Sequence, residues 1–82
     1  MPILVAPAKL AKFLKEQSIR SEAATVAALL DEVRLLVPEE EWLWAQRATI
    51  LVNGRAIHRL RGAATPLGPD DQVWMVFPSA GG

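Results

Sequence analysis

The chain has 82 residues, 51% of them hydrophobic and 22% charged, with nine basic residues balanced by nine acidic ones. That length is one domain. The apolar content excludes disorder, the lack of a basic surplus argues against a nucleic-acid binder, and no apolar run approaches the ~20 residues of a membrane-spanning helix.

Cysteine is absent, which removes disulfides, thiolate metal ligands and a cysteine nucleophile. A chain this small buries only about 60% of its unfolded surface, so a private active-site cleft has little volume to occupy. The opening Met1-Pro2-Ile3-Leu4-Val5 lacks the charged and long apolar regions of a signal peptide. The expectation is a small cytoplasmic domain with a binding or carrier role.

Ile3-Leu4-Val5, between Pro2 and Pro7, reads as an opening strand. Leu10, Phe13 and Leu14 stand at i, i+3 and i+4 among Lys9, Lys12 and Lys15, which suggests a turn or two of helix. Residues 17–21 read as a second short strand with Ile19 inward. The clearest element is a helix capped by Thr25, with Glu22 just upstream where negative charge suits a helix N-terminus. Val26, Leu29, Leu30, Val33, Leu36 and Val37 form its expected buried stripe, and Asp31, Glu32 and Arg34 its wet side. Pro38 ends it and opens a short helix as the N1 residue, with Glu39, Glu40 and Glu41 in the first turn. Those acids read as a solvated turn. The short helix carries Trp42 and Trp44 and stops before Arg47.

Residues 48–52 form a β-rich run followed at once by Asn53-Gly54, the dipeptide that a type I′ hairpin turn favours because both central residues need positive φ. Residues 55–60 are expected to return as the partner strand. Turn signals then run from Gly62 to Asp71, and residues 72–77 make the last strand, stopped by Pro78. One main helix laid across a mixed sheet satisfies this order: an α+β two-layer domain over residues 1–77, with a flexible tail at 78–82.

Phosphate-loop, dinucleotide, zinc-hydrolase and serine-hydrolase signatures are all missing, and no catalytic or metal-binding residues are assigned. His58, the single imidazole, reads as a strand side chain rather than a base. Arg55, His58, Arg59 and Arg61 form a locally basic cluster, either a solvated strand face or a docking patch for an acidic partner. In the last strand, alternation sends Val73, Met75 and Phe77 to one face and Trp74 and Val76 to the other. Trp74 and Val76 are then either covered by the short helix or a loop, or they form a protein-docking patch.

The sequence finishes at Gly81-Gly82, just beyond that strand. Two residues without side chains can thread a narrow channel and present a carboxylate to another protein's active site, with Pro78, Ser79 and Ala80 as the remaining threaded segment. A carboxylate becomes an acyl donor once adenylated, and an acyl adenylate can accept sulfide to become a thiocarboxylate.

The sequence resembles the ubiquitin-like sulfur carriers of the MoaD/ThiS family, which have the β-grasp fold. The resemblance rests on Ala24-Thr25-Val26 with Leu29-Leu30, on Leu51-Val52-Asn53-Gly54-Arg55, on Thr65-Pro66-Leu67 with Asp70-Asp71-Gln72-Val73, and on Phe77-Pro78-Ser79-Ala80-Gly81-Gly82. The opening Leu4 to Phe13 is similar to the cysteine-biosynthesis branch, which has a loop where residues 8–15 here suggest helix. The family's usual Asp-Gly before the last strand is replaced by Gly68-Pro69-Asp70-Asp71, and the tail is about one residue shorter than the common form.

The resemblance implies that a ubiquitin-activating-type (MoeB/ThiF-like) adenylyltransferase, using ATP and magnesium, adenylates Gly82. A sulfur donor then converts Gly82 to a thiocarboxylate, which delivers sulfur to a biosynthetic enzyme of cysteine, thiamine or thio-metabolite synthesis docked on the open sheet face. The chain itself binds no cofactor and is a co-substrate, not an enzyme. Trp74 and Val76, with Arg55, Arg59 and Arg61, are the expected docking residues. The alternatives are the small subunit of molybdopterin synthase, a ubiquitin-like modifier joined to target lysines through Gly82, and a plain interaction domain.

Overall fold

The computed structural model describes residues 1–77. The expected tail residues Pro78, Ser79, Ala80, Gly81 and Gly82 lie outside the described residues. Five strands, β1 (Ile3–Val5), β2 (Ser18–Arg20), β3 (Thr49–Val52), β4 (Arg55–Ala56) and β5 (Gln72–Val76), form one mixed sheet in the order β2-β1-β5-β3-β4. The first and last strands of the chain lie side by side and parallel, Leu4 opposite Val73, while every other pairing is antiparallel. Helices α1 (Ala8–Leu14), α2 (Val26–Leu36) and α3 (Glu39–Ala45) complete the α+β fold. This is the β-grasp arrangement.

Helix α2 crosses the sheet because its apolar residues repeat at helical spacing. Val26, Leu29 and Val33 are fully buried against Leu4, Leu10 and Val73. Its start is fixed as expected, by the Thr25 hydroxyl accepting the Ala28 N–H at 3.2 Å. Leu36 departs from the expected stripe. It is exposed, because Val37, four residues past Val33, takes the inward position just as the backbone leaves the helix. Pro38 caps α3 from outside the helix, as N-cap and not as N1.

Residues 8–14 are helical, as the spacing of Leu10, Phe13 and Leu14 suggested and against the loop that the resemblance implied. Leu10 and Leu14 supply the reason: both are buried in the common core. The turn after β3 has Asn53 at φ 52° and Gly54 at φ 86°, as a type I′ hairpin requires. The expected return strand over residues 55–60 is cut to Arg55–Ala56. Ile57 and Leu60, three apart, instead close a 3₁₀ turn over Ile57–Arg59, with the Leu60 N–H donating to the Ile57 carbonyl at 2.9 Å. The last strand also ends one residue early, at Val76.

Two long-range ties hold the loop before β5. The Val26 N–H donates to the Thr65 carbonyl at 3.0 Å and the Leu67 N–H to the Ala24 carbonyl at 2.8 Å, so the loop is stitched to the start of α2. At its far end the Asn53 side chain accepts the Gln72 N–H at 3.0 Å and donates to Asp71 Oδ1 at 2.8 Å. Sequence segments far apart in the chain thus fix the hairpin turn, the loop and the final strand as one unit.

Candidate functional site

The sheet has one face under the helices and one face open. Alternation along β5 places Val73 and Met75 inside and leaves Trp74 and Val76 on the open face, 43% and 41% exposed. Trp74 is therefore not covered by the acidic helix or by a loop. Its cross-strand neighbours are Val5 on β1 and Leu51 on β3, and Leu51 in turn faces Ala56 on β4. Opposed residues share a face, so Val5, Trp74, Leu51 and Ala56 make one apolar row across four strands. Ser18, opposite Val5, closes the row at the other edge.

The root of the tail lies at the end of β5. Val76 pairs with Thr49 at the start of β3, and Phe77 follows on the core side. There it meets Trp44 from α3, the rings stacked with centroids 3.8 Å apart and planes 15° apart. Lys9 Nζ, from the first turn of α1, lies 4.1 Å from the Trp44 ring centroid and 3.6 Å from Glu41 Oε2. That carboxylate oxygen is buried and makes no hydrogen bond among the described residues, so Lys9 is the charge that offsets its burial. Of the three acids expected as a solvated turn, Glu39 and Glu40 are exposed, whereas Glu41 serves this cluster. Trp42 and Trp44 both pack against the core, and Trp74 stands apart from them on the open face.

Arg55, His58, Arg59 and Arg61 are exposed and come together along the β4 edge, lining two adjoining grooves of about 560 and 650 Å³. Only Arg55 is on a strand; the 3₁₀ turn redirects His58 and Arg59, so the cluster is not a strand face. The Thr65 hydroxyl accepts the Arg61 N–H at 3.1 Å and donates to the Gly62 carbonyl at 2.7 Å, which fixes the loop carrying Arg61.

Asp71, beside the hairpin turn, is held below the usual carboxylate range, first by the Gly68 N–H donating to Oδ2 at 2.7 Å and then by the Asn53 amide. It is a structural latch, half-buried at the opposite end of β5 from the tail root. Among the described residues no three His, Asp or Glu side chains are grouped to hold a metal ion. None of the helices among them is long and apolar enough to cross a membrane. The cluster of Lys9, Glu41, Trp44 and Phe77 escaped sequence reasoning. Its members come from α1, α3 and the residue just past β5, and only the spacing of Leu10, Phe13 and Leu14 hinted that α1 existed to bring one of them.

The ThiS family model matches residues 4–82, nearly the whole chain and through the Gly81-Gly82 pair. The chain belongs to the ThiS family. It is thus a ubiquitin-like, β-grasp protein of the sulfur-carrier type. No curated protein matches the sequence. Solved structures share the fold at low identity. Small archaeal modifier protein 1 from Methanosarcina acetivorans is 19% identical over 99% of this chain and 95% of its own, with a TM-score of 0.79. A chain of the Amycolatopsis orientalis BexX/CysO complex is 18% identical over the full length of both, with a TM-score of 0.82. Mycobacterium tuberculosis CysO is 17% identical over 96% of this chain and all of its own, with a TM-score of 0.80.

Proposed function

We propose that this ThiS-family protein carries sulfur as a thiocarboxylate on Gly82. The carboxylate attacks the α-phosphorus of ATP on a ubiquitin-activating-type partner, releasing pyrophosphate and forming an acyl adenylate. Sulfide, or a persulfide with a reductant, then displaces AMP at the carbonyl carbon and leaves a C-terminal thiocarboxylate. ATP and magnesium belong to the partner, and the chain is a co-substrate rather than a catalyst. The observation that carries this reading is the family match running through Gly81-Gly82, a short segment past the strand that the body holds at the sheet's centre.

The folded body serves the tail by docking it. The exposed Trp74 and Val76 lie on β5, the strand that precedes Pro78, Ser79, Ala80, Gly81 and Gly82 in the sequence, so a partner seated on them is close to the point where that segment begins. Tail residues of small volume suit threading into that partner's active site. The BexX/CysO complex, in which a fold relative is held with another protein, supports a role exercised while docked. Intact-protein mass spectrometry after incubation with a cognate activating enzyme, ATP and sulfide tests the reading. A single oxygen-for-sulfur exchange at Gly82 is expected, and its absence with a demonstrably active enzyme contradicts it.

One observation favours a second reading. Two solved fold relatives carry the name small archaeal modifier protein, from Methanosarcina acetivorans and Haloferax volcanii. In this reading the same activated Gly82 carbonyl is attacked by a target lysine amine and forms an amide. High-molecular-weight adducts that vanish when Gly82 is deleted would distinguish it from the carrier reading.

A further inference from the structure

The two grooves on the β4 edge have a charge character that the docking reading does not by itself require. From residue 42 to residue 69 the sequence contains no acidic residue, while Arg47, Arg55, Arg59 and Arg61 fall within it. The chain's overall neutrality therefore hides a segregation: six acids stand between Glu22 and Glu41, where Arg34 is the single base. Among the described residues, none of Arg55, Arg59 and Arg61 has a carboxylate within ion-pairing distance. Three guanidinium groups with no carboxylate partner among the described residues, gathered on one edge, make a positive field.

The grooves also join the open face. The first is floored by Leu51 and Ala56, which end the apolar row that begins at Val5 and passes through Trp74. Arg55 and Leu60 line both grooves and so form the ridge between them. Beyond that ridge lies the second groove, which Arg61 lines together with Thr65 and Pro66. An apolar row thus runs into a basic rim and continues round the end of the sheet. Neither groove is a closed pocket shaped around one small anion; together they form an extended, bent track.

We infer that this track receives an extended acidic segment of a partner protein. Its apolar side chains rest on Trp74 and Leu51, and its carboxylates engage Arg59, Arg55 and Arg61 in turn. Guanidinium groups pair with carboxylates through two parallel N–H donors, which gives such a contact register as well as attraction. The inference rests on the reading that the open face docks partners, and it adds which chemistry the partner must carry. It also predicts that association is fast at low salt and slows as salt rises, since exposed charge pairs act mainly on the encounter rate.

The test uses the full chain, labelled with nitrogen-15, titrated with a short peptide alternating leucine and glutamate. Tripolyphosphate and the leucine–lysine counterpart of the peptide serve as comparison probes. Saturable amide shifts confined to residues 51–61 and Trp74 are expected with the acidic peptide alone. Arg59→Glu combined with Arg61→Glu should weaken that binding at least tenfold, whereas Lys12→Glu combined with Lys15→Glu should change it less than twofold. Both pairs are exposed, and the spectrum itself reports that each variant is folded. Unaltered affinity in the arginine double variant overturns the inference, as does a response spread evenly over all the basic residues. Tripolyphosphate producing the same saturable shifts also overturns it, in favour of a small-anion site. Failure of the docking reading is distinct: it falls if Trp74→Ala leaves binding to the activating enzyme unchanged, whatever the peptide does.

Discussion

Trp44 and Phe77 stack face to face, with ring centroids 3.8 Å apart and planes inclined by 15°. Phe77 is the last residue before the tail, and Trp44 comes from a helix that the chain completed more than thirty residues earlier. The contact fixes the end of β5 against α3, with Lys9 and Glu41 adding a charged brace from α1 and from the helix itself. Trp44→Ala should therefore lower stability by about 2 kcal/mol, less than for a fully buried ring because Trp44 is half-exposed. Lys9→Ala should cost under about 1 kcal/mol. Urea midpoints for the two variants check the ranking, and equal losses would contradict it.

Trp74 makes the opposite prediction. It is 43% exposed, with Val5 and Leu51 as its cross-strand neighbours, so Trp74→Ala should change stability by less than about 1 kcal/mol. Affinity for the activating partner should nevertheless fall tenfold or more, as expected for an aromatic anchor. Calorimetric titration separates the two effects. A variant that unfolds easily yet binds normally would place Trp74 in the framework and not at the interface.

The two tryptophans also show how far the sequence could be read. Period-two alternation in β5 correctly separated Val73 and Met75 from Trp74 and Val76, because a strand in a sheet has only two faces. What lies over a face is a long-range fact, and alternation is silent about it. Asn53-Gly54 and Thr25 were legible because each acts within three residues of itself. Residues 55–60 misled because the Asn53-Gly54 turn calls for a return strand without setting its length, while the Ile57–Leu60 spacing that closes a 3₁₀ turn is a single weak repeat. The Lys9, Glu41, Trp44 and Phe77 cluster was invisible for the same reason that it is effective: its members are joined only by the fold.

Asp71 gives a pH prediction with a definite sign. Its folded-state acidity is raised by hydrogen bonds from the Gly68 N–H and the Asn53 amide, so its ionised form is favoured in the folded protein. The stability it contributes is complete above its unfolded value of about 3.9 and is lost as pH falls through the lower folded value. Asp71→Asn should thus destabilise the protein at neutral pH, by less than about 1 kcal/mol for a group still in contact with solvent. The gap between parent and variant should close as the pH drops below about 4. Denaturation at several pH values measures it, and a gap that widens in acid would contradict the latch.

Gly54 tests the hairpin. It sits at φ 86° with nothing within 4 Å of the place a Cβ would take, so any penalty for a side chain is conformational and not steric crowding. Gly54→Ala should cost roughly 1 kcal/mol, and Asn53→Ala a similar amount through loss of the bonds to Asp71 and Gln72. Amide exchange should speed up first in β3 and β4 in both variants. Protection unchanged at those strands would mean that the turn does not set their register.

Intact mass measures the proposed chemistry of Gly82 most directly. Incubated with its activating enzyme, ATP and a sulfide source, the parent protein should gain one sulfur in place of one oxygen at its final carboxyl group. A variant with Gly82 deleted should gain none. A parent protein that emerges unmodified from an enzyme proven active on ATP, or a deletion variant that is modified equally, would contradict the account.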